Sequence, residues 1–229
     1  MTTTLLDQLQ AELPIQLGSY DVAGEGAGLA IVNPIGALCA AQAGASAAAA
    51  AEGRIGRMVA RCDALARRFL ERRSPVLALV DADASVMPGS GRGQGAAELV
   101  AELAWLRNEP DVTVLRKDCV DGFVGGIEPI YHGTHGTSRN RVVDWVNAHR
   151  LRALLVTGTC TDLGVMDFVL AMLSARKHGL MATLADIVLL EPAVATYDAT
   201  ARPRLAAHHA ALYFMAERGA LLAGELTGV

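Results

Sequence analysis

The sequence predicts a single α/β domain: a doubly wound, mainly parallel sheet between two layers of helices, a three-layer sandwich. Two observations point there. Residues 28–32 (GLAIV) and 76–80 (VLALV) are apolar at every position, as strands buried on both faces of a parallel sheet must be. Between such runs lie segments whose apolar residues recur at helical spacing. The composition suits one core. Of 229 residues, 52% are hydrophobic and 19% charged, the reverse of the balance that keeps a chain disordered.

Taken in order, residues 1–25 are weakly patterned and read as an N-terminal arm, and residues 26–229 as the domain. The strand at 28–32 is stopped by Asn33 and Pro34. A stretch of small residues leads into a helix in which Ile55, Met58, Val59, Cys62, Leu65, Ala66 and Phe69 share one face and arginines the other, until Ser74 and Pro75 end it. The strand at 76–80 has Asp81 at its C-terminal end. Residues 87–95 are glycine-rich and loop-like, and 96–106 read as a second helix. A third strand at 112–115 runs into Arg116, Lys117 and Asp118. Residues 142–148 form a short helix, 153–156 a fourth strand, and 163–175 a helix with Val165, Phe168, Val169, Met172 and Leu173 on one face. Residues 181–184 and 187–190 suggest another strand and its continuation, and a helix over 203–218 closes the chain.

Composition removes several classes of function. A formal net charge of −4 leaves no basic footprint for nucleic acid. The cluster Arg67, Arg68, Arg72 and Arg73 reads as a solvated helix face. Residues 37–51 are alanine with Ser, Gly and Gln, without the leucine-type hydrophobicity of a membrane span. Residues 1–12 lack a basic region followed by an apolar core, so no signal peptide is expected. Cys39, Cys62, Cys119 and Cys160 are scattered with no CxxC, which predicts free thiols in a reducing cytoplasm.

In a doubly wound sheet, ligands bind beyond the carboxyl ends of the strands. Those ends carry Asn33, Asp81, Lys117 and the turn 157–164. Lys117 and Lys177 are the only two lysines in a chain that otherwise uses arginine. A strand-end lysine either activates a nucleophile or holds an anion, or is simply a surface cation. The turn Gly158-Thr159-Cys160-Thr161-Asp162-Leu163-Gly164 joins a strand to a helix, where backbone N–H groups make an anion or oxyanion site. Cys160 reads as a thiolate nucleophile or as a small buried hydrophobe. Asp81 and Asp83 form a D-x-D that either holds a hard cation or is a pair of ordinary loop aspartates. His132 and His135 lack further ligands at zinc spacing. His208 and His209 fall in the last helix, where a surface or partly buried role suffices.

Several stretches together resemble the isochorismatase-like cysteine hydrolases, and most closely their plant-type nicotinamidase branch. They are GLAIVNPIGALC, PVLALVDA, VTVLRKDCVDGF, VVDWV, LLVTGTCTDLGVMDFVLAMLSAR, VATYDA and LYFMAERGA, which run in the family's order over nearly the whole chain. The resemblance implies a three-layer sheet fold and an amidase triad of aspartate, lysine and cysteine. The aspartate takes the thiol proton, the lysine helps hold the thiolate, and the cysteine attacks a carboxamide to release ammonia. It also implies an oxyanion hole of two backbone N–H groups around a cis peptide. In many relatives a metal is held by an aspartate and several histidines.

Carried over position by position, the family aspartate falls on Asn33, the lysine on Lys117 and the nucleophile on Gly164, in CTDLGV where relatives read CTDxCV. Cys160 matches a position near the oxyanion hole. The cis peptide would be Thr159–Cys160, with the N–H groups of Cys160 and Gly164 as the hole and Asp81 beside the substrate. The metal aspartate falls on Asp81, the histidine two residues on is Asp83, and 84–95 contain no histidine, so no metal or other cofactor is expected. Asparagine cannot accept and return a proton near neutral pH, and glycine has no nucleophile. The expected function is therefore a family member that has lost Asp-Lys-Cys amide hydrolysis and keeps a site for a small carboxamide or carboxylate. Two alternatives stand beside it. One is isochorismatase-type vinyl-ether cleavage, whose branch also has glycine at this position, with Asp162 or Asp83 replacing the missing acid. The other is C–N amide hydrolysis using Cys160. Relatives are often dimers or tetramers, and the alanine-rich surfaces here suit close packing into a homo-oligomer.

Overall fold

The computed structural model describes residues 4–24, 26–39, 53–82, 97–132, 135–196 and 204–228. Along the chain run α1 (Leu5–Glu12), β1 (Gly18–Asp21), β2 (Ala27–Val32), the short α2 (Gly36–Cys39), α3 (Arg54–Glu71) and β3 (Val76–Asp81). A 3₁₀ segment (Ala101–Asn108) leads to β4 (Val112–Lys117), and a hairpin of β5 (Ile127–His132) and β6 (His135–Asn140) leads to α4 (Arg141–Ala148). The chain finishes with β7 (Ala153–Thr159), α5 (Met166–Lys177), β8 (Asp186–Ala195), α6 (Leu205–Glu217) and β9 (Leu221–Thr227).

Seven of these strands form one sheet in the order β1-β9-β8-β7-β2-β3-β4, every neighbouring pair parallel. β2, β3 and β7 are buried at every position, which is why their sequences are unbroken apolar runs. Successive residues serve opposite layers. Leu29, Ile31, Val76, Ala78 and Leu155 pack with α3 and the 3₁₀ segment. Ala30, Val32, Leu77, Leu79 and Leu154 pack with α4, α5 and α6. The seven apolar positions expected on the first long helix are the seven buried residues of α3. The expected three-layer α/β architecture is therefore the observed one.

Several elements differ from expectation. The region expected as an α-helix over 96–106 is a 3₁₀ segment, which puts Leu103 and Leu106 on one line, since side chains three apart eclipse at three residues per turn. Residues 181–184 form no strand; Met181 and Leu184 are buried in the turn after α5. β8 continues to Ala195, past the expected end, with a register shift against β7 between Val156 and Gly158. β9 follows the helix that was expected to close the chain, and it pairs with β1 from the expected N-terminal arm.

Candidate active site

The strand order reverses between β7 and β2. Their C-terminal ends therefore flank the crevice where a doubly wound sheet binds ligands. Asn33 follows β2 directly. Its φ of 50° lies in the left-handed region, which asparagine tolerates better than most residues. Its N–H donates to Leu79 O at 2.8 Å. The side chain is fully buried, and neither its amide oxygen nor its amide nitrogen has a hydrogen-bond partner among the described residues.

Asp81 and Lys117 are register partners at the ends of β3 and β4, and both are buried. The Lys117 ammonium is ion-paired with Asp81 Oδ1 and donates to Cys119 O at 2.8 Å and Val120 O at 3.0 Å. An ammonium has three N–H donors, so all three are engaged within the protein. Asp81 Oδ2 is buried without a partner among the described residues. Burial pushes the Asp81 carboxyl upward, and the Lys117 charge opposes this.

β7 closes the other side. Gly158 has φ 113°, and a Cβ there would lie 2.1 Å from Val32 O, so only glycine lets β7 pass the end of β2. The next peptide, Thr159–Cys160, is cis. Thr161–Val165 is a π-type turn, in which Leu163 N and Val165 N both donate to Cys160 O at 3.1 Å. This turn places Gly164 beside Asn33. A Cβ built on Gly164 would lie 3.1 Å from Asn33 Nδ2 and 3.2 Å from Val120 O. Val120 O is also an acceptor for Lys117. Asn33, Lys117 and Gly164 thus meet at one place although they come from three strand ends.

The other candidates lie elsewhere or are engaged. Thr159 and Cys160 are fully buried. Thr159 Oγ1 donates to Cys160 Sγ at 3.3 Å, and Cys160 belongs to the core cluster on the α3 side of the sheet. Asp162 Oδ1 accepts from Thr196 Oγ1 at 2.7 Å, and its other oxygen is paired with Arg204. His132 and His135 are register partners at the tip of the β5–β6 hairpin. His209 Nε2 lies 2.8 Å from Leu13 O and ties α6 to the end of α1. Asp83 and residues 84–95 lie outside the described residues.

Sequence reasoning missed the Val120 carbonyl, to which no side-chain pattern could point. It also missed the Asp81–Lys117 pair, whose signal was two ionisable residues at the ends of consecutive strands. One Asp81 oxygen is occupied by an ammonium, and among the described residues no three His, Cys, Asp or Glu side chains gather in a ligand set. Among the described residues, no ligand set matches the metal site that the family resemblance implies.

The parallel sheet, the cis peptide at the strand-to-helix turn and the buried strand-end lysine are the features that the family resemblance implies. The isochorismatase domain matches residues 37–224, and the chain belongs to that family. It is 32% identical over 243 residues to nicotinamidase 1 of Arabidopsis thaliana, covering 98% of this chain and 97% of that protein. Among solved structures it is similar to the nicotinamidase of Bacillus subtilis (TM-score 0.60, 18% identity, 86% of this chain and 99% of that one). It is also similar to N-carbamoylsarcosine amidase of Thermoplasma acidophilum (TM-score 0.57, 18% identity, 86% and 95%). At these identities the two structures speak to the fold alone.

Proposed function

We propose that this chain is a nicotinamidase-like protein that binds a small carboxamide or carboxylate and does not hydrolyse amides by Asp-Lys-Cys chemistry. One observation carries the reading. Asn33, with both polar atoms buried and unpartnered among the described residues, faces a residue with no side chain, Gly164. The first cannot act as a general base, and the second cannot act as a nucleophile.

The same geometry supports a binding role. A buried polar group without a partner costs about 1–3 kcal/mol, and a ligand that supplies the partner recovers that energy. The Asn33 amide offers a donor and an acceptor, the complement of a carboxamide. The three Lys117 donors are already engaged, which favours a neutral amide over a carboxylate. The alternative readings draw less support. Asp162 is held by Thr196 and Arg204, and Cys160 packs in the core. The proposal includes a cytoplasmic homo-oligomer that needs no metal or other cofactor.

Ligand-observed NMR with nicotinamide tests the reading. The expected result is saturation transfer to nicotinamide with its signals unchanged over hours, with or without a chelator. Conversion to the acid with ammonia release at an enzyme-like rate would overturn it.

A further inference from the structure

Three buried polar atoms at the strand ends have no partner among the described residues: Asn33 Nδ2, Asn33 Oδ1 and Asp81 Oδ2. They belong to neighbouring strands of the sheet, β2 and β3. A run of contacts joins them. Asp81 is ion-paired with Lys117, and Lys117 donates to Val120 O. Val120 O and Asn33 Nδ2 lie 3.2 and 3.1 Å from the position of a Gly164 Cβ. The three atoms offer one donor group and two acceptors. A primary carboxamide carries the complement, a carbonyl oxygen and two N–H bonds.

Charge adds a second requirement. Asp81 and Lys117 offset each other as a pair, and two further carboxylates stand close by. Asp121 follows Val120 in the chain. Its Oδ1 accepts from the N–H groups of Phe123 at 2.7 Å and Val124 at 3.4 Å, neutral donors that leave its charge in place. Asp167 lies in the first turn of α5, three residues past Gly164. Burial and then the Asp121 charge raise the Asp167 carboxyl, and the Lys117 charge opposes them. Among the described residues three carboxylates thus accompany one ammonium, which leaves the site negative. A partly desolvated site of one sign concentrates ligands of the other.

We infer, on the carboxamide reading above, that the site takes a primary carboxamide bearing a positive charge in preference to a neutral one. The amide meets the three unpartnered atoms of Asn33 and Asp81. The positive charge lies against Asp121 and Asp167, the carboxylates left over from the Asp81–Lys117 pair.

The test is calorimetric titration of the intact chain with 1-methylnicotinamide, a pyridinium cation, and with nicotinamide, its neutral counterpart, at matched ionic strength. The cation should bind about tenfold tighter or more. Asp167→Asn should narrow that ratio about threefold or more. Asp111→Asn, exposed just before the N-terminal end of β4 and so at the far end of the strands, should leave the ratio unchanged. Nicotinamide binding as tightly as the cation, or a ratio that Asp167→Asn does not narrow, overturns the preference for charge and leaves the carboxamide reading standing. Saturable binding of neither probe overturns both.

Discussion

Asn33 and Gly164 lie beside each other beyond the ends of β2 and β7, and a Cβ built on Gly164 would stand 3.1 Å from the Asn33 amide nitrogen. In the amidase triad that the resemblance implies, these positions hold the base and the nucleophile. Four described features bring them together: the left-handed turn at Asn33, the close passage of Gly158, the cis peptide and the turn that carries Gly164. On the proposed reading, the chemical groups that this frame would carry are the ones that differ.

Lys117 and Asp81 behave as one buried unit. Lys117→Met leaves the Asp81 carboxylate without its counter-charge and should destabilise the fold by about 3–5 kcal/mol. Adding Asp81→Leu should cost clearly less than the sum of the single changes, because the double variant strands no charge. Urea denaturation of the three variants checks this; additive losses would contradict the coupling.

Glycine is required at position 158 and only preferred at 179. Gly158→Ala places a methyl 2.1 Å from Val32 O at φ 113° and should cost more than about 3 kcal/mol or prevent folding. Gly179→Ala, at φ 89° with nothing within 4 Å, should cost only about 1 kcal/mol. Chemical denaturation of the pair checks the contrast.

Native alkylation with iodoacetamide should spare Cys62 and Cys160. Both are fully buried, and burial pushes the Cys62 thiol up to about 12. Both should react once the chain is unfolded in urea, which peptide mapping by mass spectrometry reads directly. Rapid native labelling of Cys160 at neutral pH would revive it as a nucleophile.

The Tyr20 hydroxyl donates to Asp186 Oδ2 at 2.9 Å and joins edge strand β1 to the start of β8. Burial, then the Asp186 carboxylate, raises the Tyr20 phenol to about 12 from an ordinary value of 10.0. A raised pKa gives stability that is present below the unfolded value and lost as pH rises through the folded one. Wild type should therefore lose stability between about pH 10 and pH 12 more steeply than Tyr20→Phe. At neutral pH the phenylalanine variant should be less stable by about 1 kcal/mol.

The sequence made β2, β3 and α3 legible because burial on two faces, or along one stripe, leaves a pattern of its own. β1 (GSYD) is short and mostly exposed, and β6 (HGTSRN) has no apolar face to report, so neither had a signal. β9 (LLAGELT) carries a glycine in mid-strand, which blurred its alternation. In the site, Asn33, Lys117 and Gly164 could be placed because strand ends and a short motif fix their positions. The pairing of Lys117 with Asp81 could not, because it depends on how β3 registers against β4, which no local pattern encodes.

Ammonia release from nicotinamide by the wild type and by the Asn33→Asp/Gly164→Cys variant tests the central claim most directly. The added thiol would have a carboxylate as its neighbour in place of the asparagine amide, beside an ammonium already paired with Asp81. A silent wild type and a variant with measurable turnover are the results expected of an intact amidase frame without its reacting groups. Turnover by the wild type at an enzyme-like rate would contradict the account and place the chemistry on groups other than these two.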